Sequence, residues 1–202
     1  MTSLPKPSLA AELAARGYAV VPGFFAAELV AALRAEVQVL DADGGLRPAG
    51  VGKAEDFRVR TDVRSDRILW LDPEACTAAQ AQALAVFDEL RKSLNRSCFL
   101  GLFATECHLA AYAPGGHYDK HLDAFRLRSQ RKISFVLYLN EAWRKADGGE
   151  LRLYRSGSDT EVACDIRPEG GTLVCFASEE IWHEVRPTNR ARLSLTGWFL
   201  GL

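Results

Sequence analysis

His121, Asp123, His183 and Arg192 are the residues whose types and spacing point to chemistry. His121-Leu122-Asp123 sets an imidazole and a carboxylate two positions apart. In an extended strand, residues i and i+2 share a face, so both side chains can reach one point. Sixty positions after Asp123 comes Trp182-His183-Glu184-Val185, and nine after His183 comes Arg192, inside the strand-like run Arg190-Ala191-Arg192-Leu193-Ser194-Leu195-Thr196-Gly197-Trp198-Phe199. Two neutral imidazoles and one carboxylate on one face of a metal form a 2-His-1-carboxylate triad. It leaves coordination positions open and suits non-haem Fe(II) handling O₂. A His-x-Asp alone reads more readily as a surface pair; the distant histidine, followed by an arginine in a strand-like run, shifts the reading to a metal site.

Further segments accompany these four residues: Ala111-Tyr112-Ala113-Pro114-Gly115-Gly116-His117-Tyr118-Asp119-Lys120-His121, Tyr138-Leu139-Asn140 with Trp143, and Gly148-Gly149-Glu150-Leu151-Arg152-Leu153-Tyr154. With them, residues 103–202 resemble the catalytic core of the Fe(II)/2-oxoglutarate-dependent dioxygenases. The likeness is to the prolyl 4-hydroxylase branch, which contains the hypoxia-sensing prolyl hydroxylases and their bacterial relatives. The resemblance implies a mainly β fold with flanking helices around a double-stranded β-helix (jelly-roll, cupin-like) core. It implies iron on His121, Asp123 and His183, which are then also the catalytic residues. Arg192 is expected to hold the far carboxylate of 2-oxoglutarate, aided by the Tyr138 hydroxyl, with Tyr112, Leu151, Val185 and Trp198 lining that pocket. The implied cofactor set is Fe(II), 2-oxoglutarate and O₂, with ascorbate as reductant. The implied reaction couples decarboxylation of 2-oxoglutarate, to succinate and CO₂, with hydroxylation of a peptidyl proline. Arginine suits the remote carboxylate because its planar fork makes two charge-assisted hydrogen bonds.

The whole chain must position these groups. Its 202 residues suit one domain, with residues 1–100 as helical support and a hairpin loop and 103–202 as the catalytic β core. Hydrophobic residues at 48% and charged residues at 25% are ordinary globular values, and a formal charge of −1 gives no basic footprint for nucleic acid. No apolar run approaches the roughly 18 residues of a membrane span. The opening Met-Thr-Ser-Leu-Pro-Lys-Pro lacks the apolar core of a signal peptide. Five scattered cysteines without a Cys-x-x-Cys read as reduced thiols, so a cytoplasmic protein is expected; a monomer is expected as well.

Residues 8–16 predict a helix capped by Ser8 and stopped by Gly17, followed by the strand Tyr18 to Val21. Phe24 to Leu40 predicts a second helix, with Leu29, Leu33, Val37 and Leu40 on one face. Asp41 to Asp66 is polar and Gly-rich, and loops of that length are commonly functional. Phe57 to Thr61 is expected as a short strand in it, ahead of the strand Ile68 to Leu71. In the related prolyl hydroxylases a finger-like hairpin at this place folds over the substrate; a solvated loop without a role is the alternative. Thr77 to Leu100 predicts the longest helix, with Thr77 as N-cap and Ala81, Leu84, Val86, Phe87, Leu90 and Leu94 apolar, packed outside the larger sheet. From Phe103 onward short β runs separated by Gly, Pro and Asp are expected. Gly148-Gly149 reads as a tight turn into the strand Glu150 to Tyr154, and Asp165 to Gly171 as a turn before a strand leading to His183.

Strand parity assigns neighbours. His108, Ala110 and Tyr112 share one face, as do Ser134, Val136 and Tyr138. His108 is expected as a pocket-lining or hydrogen-bonded core residue rather than a fourth ligand, and His117 as an exposed loop residue. Arg126, Arg128, Arg131 and Lys132 form a basic run that reads either as a solvated face or as a substrate mouth. The resemblance favours the mouth for Arg131, and Tyr118, Arg64 and Trp70 are expected as further substrate contacts. The expected partner is a proline-containing loop of a cytoplasmic protein. Two other readings stand beside it: hydroxylation of a free amino acid or other small metabolite, and a cupin-like metal-binding protein that does not use 2-oxoglutarate. Arg192 and Tyr138 weigh against the second of these.

Overall fold

The computed structural model describes residues 8–50, 58–124 and 129–202. Helix α1 (Leu9–Arg16) starts where the Ser8 side chain accepts from the Ala11 N–H, and it ends at Gly17, whose φ of 78° is left-handed. Strand β1 (Tyr18–Val21) follows as expected. Helix α2 (Ala27–Ala42) begins three residues later than its periodicity suggests. Phe24 is held outside it, its N–H donating to the Gly171 carbonyl, and the Phe25 ring lies 5.3 Å from that of Phe87. Helix α3 (Ala78–Cys98) carries a capping box in which Thr77 and Gln80 satisfy each other's backbone N–H groups. Its buried side is Ala83, Phe87 and Leu94, whereas Ala81 is exposed.

Two antiparallel sheets make the rest. The major sheet runs in the order β1-β9-β6-β11-β4-β3-β2 and the minor sheet β5-β10-β7-β8. In the major sheet β2 is Arg47–Pro48, β3 Arg67–Trp70, β4 Leu102–Tyr112, β6 Arg131–Tyr138, β9 Leu173–Ala177 and β11 Arg192–Gly201. In the minor sheet β5 is Tyr118–His121, β7 Leu151–Tyr154, β8 Val162–Ile166 and β10 His183–Val185. This is the expected double-stranded β-helix with flanking helices. Strands β4 and β11 are long rather than short, pairing from Tyr112 opposite Arg192 to Leu102 opposite Gly201. Asp165 and Ile166 end β8 rather than starting a turn, because they pair with Arg152 and Leu151 of β7.

Alternation along the major sheet divides its side chains between two cores. Leu109, Phe135, Leu137, Leu195 and Phe199 face the helices and pack with Leu33, Val37, Phe87 and Leu94. Tyr112, Val136, Tyr138, Val174 and Phe176 face inward and meet Leu151, Leu153, Ile166 and Val185 of the minor sheet. The site lies in this second, inter-sheet space.

Of the stretch between α2 and β3, the six residues Val51 to Asp56, Phe57 and with them part of the expected hairpin lie outside the described residues. Of the rest of the expected 57–61 strand, Arg58 stands in an isolated β-bridge, Val59 and Arg60 lie in no regular element, and Thr61 opens a turn that runs to Val63. Val63 and Arg64 both donate to the Arg60 carbonyl, and Arg60 grips Asp62 at 2.9 and 2.6 Å. Thr and Asp at its apex favour a turn over a continued strand. Arg126 and Arg128 also lie outside the described residues.

Candidate active site

His121 ends β5, and Asp123 stands in the bend just beyond it. His183 opens β10 and is the Cα partner of His121. The two sequence-distant parts of the triad thus meet because their strands pair. His121 Nε2 is 3.5 Å from Asp123 Oδ1, and His183 Nε2 is 3.6 Å from Asp123 Oδ2. All three ligating atoms lie within 4.8 Å of one another, and they form the one such cluster found among the described residues.

Their outer partners fix the donor atoms. His121 Nδ1 is 2.7 Å from the Asp119 carbonyl and His183 Nδ1 is 3.1 Å from that of Ile181. A carbonyl only accepts, so each Nδ1 carries the proton and each Nε2 lone pair faces the cluster. Ser134 of β6 donates to Asp123 Oδ2 at 2.6 Å. Burial alone would raise the Asp123 carboxyl; His183, His121 and the Ser134 hydroxyl hold it below the usual carboxylate range. Burial, and the facing His121, pull His183 down to about 4, leaving a neutral imidazole suited to ligation. Two neutral nitrogens and one carboxylate oxygen converging from two strands fit Fe(II).

Arg192 stands at the start of β11, only 2% exposed. Its Nε donates to the Gly149 carbonyl at 2.9 Å, and its guanidinium lies 5.2 and 5.1 Å from the ring centroids of Tyr112 and Tyr138. Gly148 and Gly149 have φ of 63° and 69°, so the Gly-Gly turn puts that carbonyl where non-glycine residues would be strained. No carboxylate among the described residues pairs with this buried cation, and the Tyr138 hydroxyl beside it is buried without a hydrogen bond. Burial pushes the Tyr138 phenol up to about 12, so it stays a donor. A buried charge without a counter-ion among the described residues and a buried hydroxyl without a hydrogen bond call for an acceptor brought by a ligand. A carboxylate such as that of 2-oxoglutarate fits this cradle.

A cavity of about 1060 Å³ joins the two places. Leu151, Val185, Trp198, Tyr112 and Trp70 line it, as the sequence suggests. Tyr118 stacks on the His121 ring at 3.6 Å. Arg131 reaches the cavity wall with its guanidinium 3.5 Å over Trp198, yet its Nε is committed to Glu106 at 2.7 Å. Arg64 likewise faces the cavity with an occupied fork, held by both oxygens of the buried Asp66 at 2.8 and 2.5 Å. Lys132 pairs with Glu179. His117 is half-buried rather than free on a loop: Ser65 clasps its backbone, and its ring nears the Asp62 carbonyl. Sequence reasoning missed Asp66 and Ser134 as site residues. The Arg-x-Asp spacing on an extended segment was the available signal for the first, and inward parity for the second.

Residues 107–200 match the family model of the 2OG-Fe(II) oxygenase superfamily. A prolyl-4-hydroxylase of known structure from Pseudomonas putida is 45% identical, with a TM-score of 0.86 over 95% of this chain and 97% of that one. A hypoxia-inducible factor prolyl hydroxylase from Caenorhabditis elegans is 31% identical over 91% of this chain, which spans only 26% of that relative's length. A Trichoplax adhaerens prolyl hydroxylase, solved with a hypoxia-inducible factor oxygen degradation domain peptide, shares the fold at 24% identity and a TM-score of 0.82, over 95% and 87% of the two chains. The resemblance read from the motifs and the geometry of the site thus converge: the chain belongs to the 2OG-Fe(II) oxygenase superfamily, in its prolyl hydroxylase branch, and works with Fe(II), 2-oxoglutarate and O₂.

Proposed function

We propose that this chain is a peptidyl-prolyl 4-hydroxylase. The observation that carries the reading is one open cavity lined both by the His121-Asp123-His183 cluster and by the Arg192 cation, which has no carboxylate partner among the described residues. When bound, Fe(II) supplies O₂ activation coupled to decarboxylation of 2-oxoglutarate. His121 and His183 offer Nε2, Asp123 offers a carboxylate, and Ser134 holds that carboxylate in place. Arg192 and Tyr138 bind and orient the far carboxylate of 2-oxoglutarate, while Leu151, Val185 and Tyr112 keep water from its carbon chain.

A polypeptide substrate is supported by space. The cavity's 1060 Å³ lies at the upper end of small-molecule pockets, roughly 300–1000 Å³, and 2-oxoglutarate fills only part of it. Proline fixes φ and lacks a backbone donor, so a prolyl loop projects without being claimed by a sheet. Trp70 and Trp198 present apolar ring surface for it, with Tyr118, Arg64 and Arg131 at the mouth. The reading extends to a cytoplasmic protein as substrate, supported by five free thiols, and to action as a monomer. Ascorbate as reductant follows from the family likeness.

The test is anaerobic loading with Fe(II), 2-oxoglutarate and a pool of prolyl peptides, followed by O₂. The expected result is peptides heavier by one oxygen, with hydroxyproline co-migrating with the 4-hydroxy standard. Succinate formation with free proline but with no peptide would replace the reading by a small-molecule hydroxylase.

A further inference from the structure

His108 belongs to neither the metal cluster nor the 2-oxoglutarate cradle. It is 3% exposed yet lines the cavity from the inward face of β4. Its Cα partners are Trp70 of β3 and Thr196 of β11. The Trp70 ring stands edge-on to it at 4.8 Å, and the Trp198 ring lies at 5.5 Å. Nδ1 is buried without a hydrogen bond, and no described residue bonds the other ring nitrogen. Buried polar atoms are nearly always satisfied, and leaving one unmet is costly. An imidazole packed against two indoles at a cavity wall therefore calls for a partner that arrives with a ligand.

The ligand is not the metal, since His108 stands outside the cluster of ligating atoms. Nor is it 2-oxoglutarate. Along β11, Arg192 pairs with Tyr112 and Thr196 with His108. Four residues separate the two places, or ~13 Å at about 3.3 Å per residue. A five-carbon diacid anchored on Arg192 and directed at the metal cluster does not reach that far.

We propose that His108 is a specificity-determining residue: its imidazole hydrogen-bonds a main-chain amide of the substrate polypeptide next to the target residue. The inference rests on the peptidyl reading above and deepens it. An amide carries both N–H and C=O, so it matches either neutral tautomer of the ring. Burial pulls the His108 pKa down to about 4, so the ring brings no charge of its own at neutral pH. A free amino acid would bring an ammonium and a carboxylate to this wall, which an uncharged imidazole beside indoles does not neutralise. The wall thereby favours a peptide over the free amino acid.

The test compares His108→Phe, which keeps an aromatic ring and loses both nitrogens, with His108→Gln, which restores a donor and an acceptor. Peptide KM and kcat are measured, together with anaerobic peptide affinity from indole fluorescence and 2-oxoglutarate affinity as a check on folding. His108→Phe is expected to raise peptide KM and dissociation constant by about three- to tenfold, the range for one net hydrogen bond. Changes in kcat and 2-oxoglutarate affinity should be small, and His108→Gln should recover most of the loss. Wild-type peptide affinity in His108→Phe overturns the inference, as does loss of 2-oxoglutarate affinity in step with peptide affinity. A wild-type enzyme that binds no prolyl peptide overturns the proposed function, and this inference with it.

Discussion

The Ser134 hydroxyl lies 2.6 Å from Asp123 Oδ2, tying the inward face of β6 to the bend after β5 and so fixing the metal-facing carboxylate from the opposite sheet. Ser178 supports the same hydroxyl at 2.9 Å. Outer-sphere partners of this kind typically contribute about 10–100-fold in metal affinity. Ser134→Ala should weaken Fe(II) binding within that range while leaving 2-oxoglutarate affinity near wild type. A metal titration checks it, and unchanged iron affinity would show that Asp123 needs no support from β6.

His183→Ala should remove most iron binding and turnover with the fold largely kept. The ring is buried beside Phe176 but sits at the edge of the inter-sheet core. Circular dichroism and metal analysis of one preparation separate the two effects. Iron content and succinate production close to wild type would sink the assignment of the triad.

Arg192 and Tyr138 should differ in weight. Truncating one partner of a buried charge pair typically costs about 2–5 kcal/mol. Arg192→Ala should therefore weaken 2-oxoglutarate by roughly thirtyfold to several thousandfold, at about tenfold per 1.4 kcal/mol. Tyr138→Phe removes one hydrogen bond, worth about 1 kcal/mol, or roughly fivefold. Calorimetric titrations that ranked Tyr138→Phe as the worse variant would reverse the two roles.

Asp66 and Arg64 make a largely buried pair, with side chains 1% and 13% exposed. Breaking such a pair from one side leaves an uncompensated charge and typically costs about 3–5 kcal/mol. Asp66→Ala should lower stability toward that amount and loosen the wall on which Tyr118 sits. Denaturant unfolding measures it; a loss under about 1 kcal/mol would place the pair with exposed ones.

The inward faces of β4 and β6 were legible because they rest on a two-residue alternation, and the His121-Asp123 pair because it rests on local spacing; His183, sixty positions on, was joined to them by the family likeness. The capping of α1 and α3 was legible too. The start of α2 was not, because Ala26 offers no side-chain cap and the apolar rhythm runs on into Phe24 and Phe25. Phe25 is drawn out of the helix by packing on Phe87, a contact more than sixty residues away in sequence. The commitment of Arg131 to Glu106, twenty-five positions away, was hidden for a similar reason. A basic residue near a mouth looks available until its partner is placed in three dimensions. The last two residues of β8, Asp165 and Ile166, look like the start of a turn because Pro and Gly follow them; their pairing with β7 decides otherwise.

The central claim is hydroxylation of peptidyl proline coupled to consumption of 2-oxoglutarate, and the most direct measurement is product stoichiometry under heavy-isotope dioxygen. Fe(II)-loaded enzyme, 2-oxoglutarate and a prolyl peptide should give succinate and 4-hydroxyproline in equal amounts, each carrying one heavy oxygen atom. Succinate that forms at the same rate with and without peptide, with no label entering proline, would contradict it.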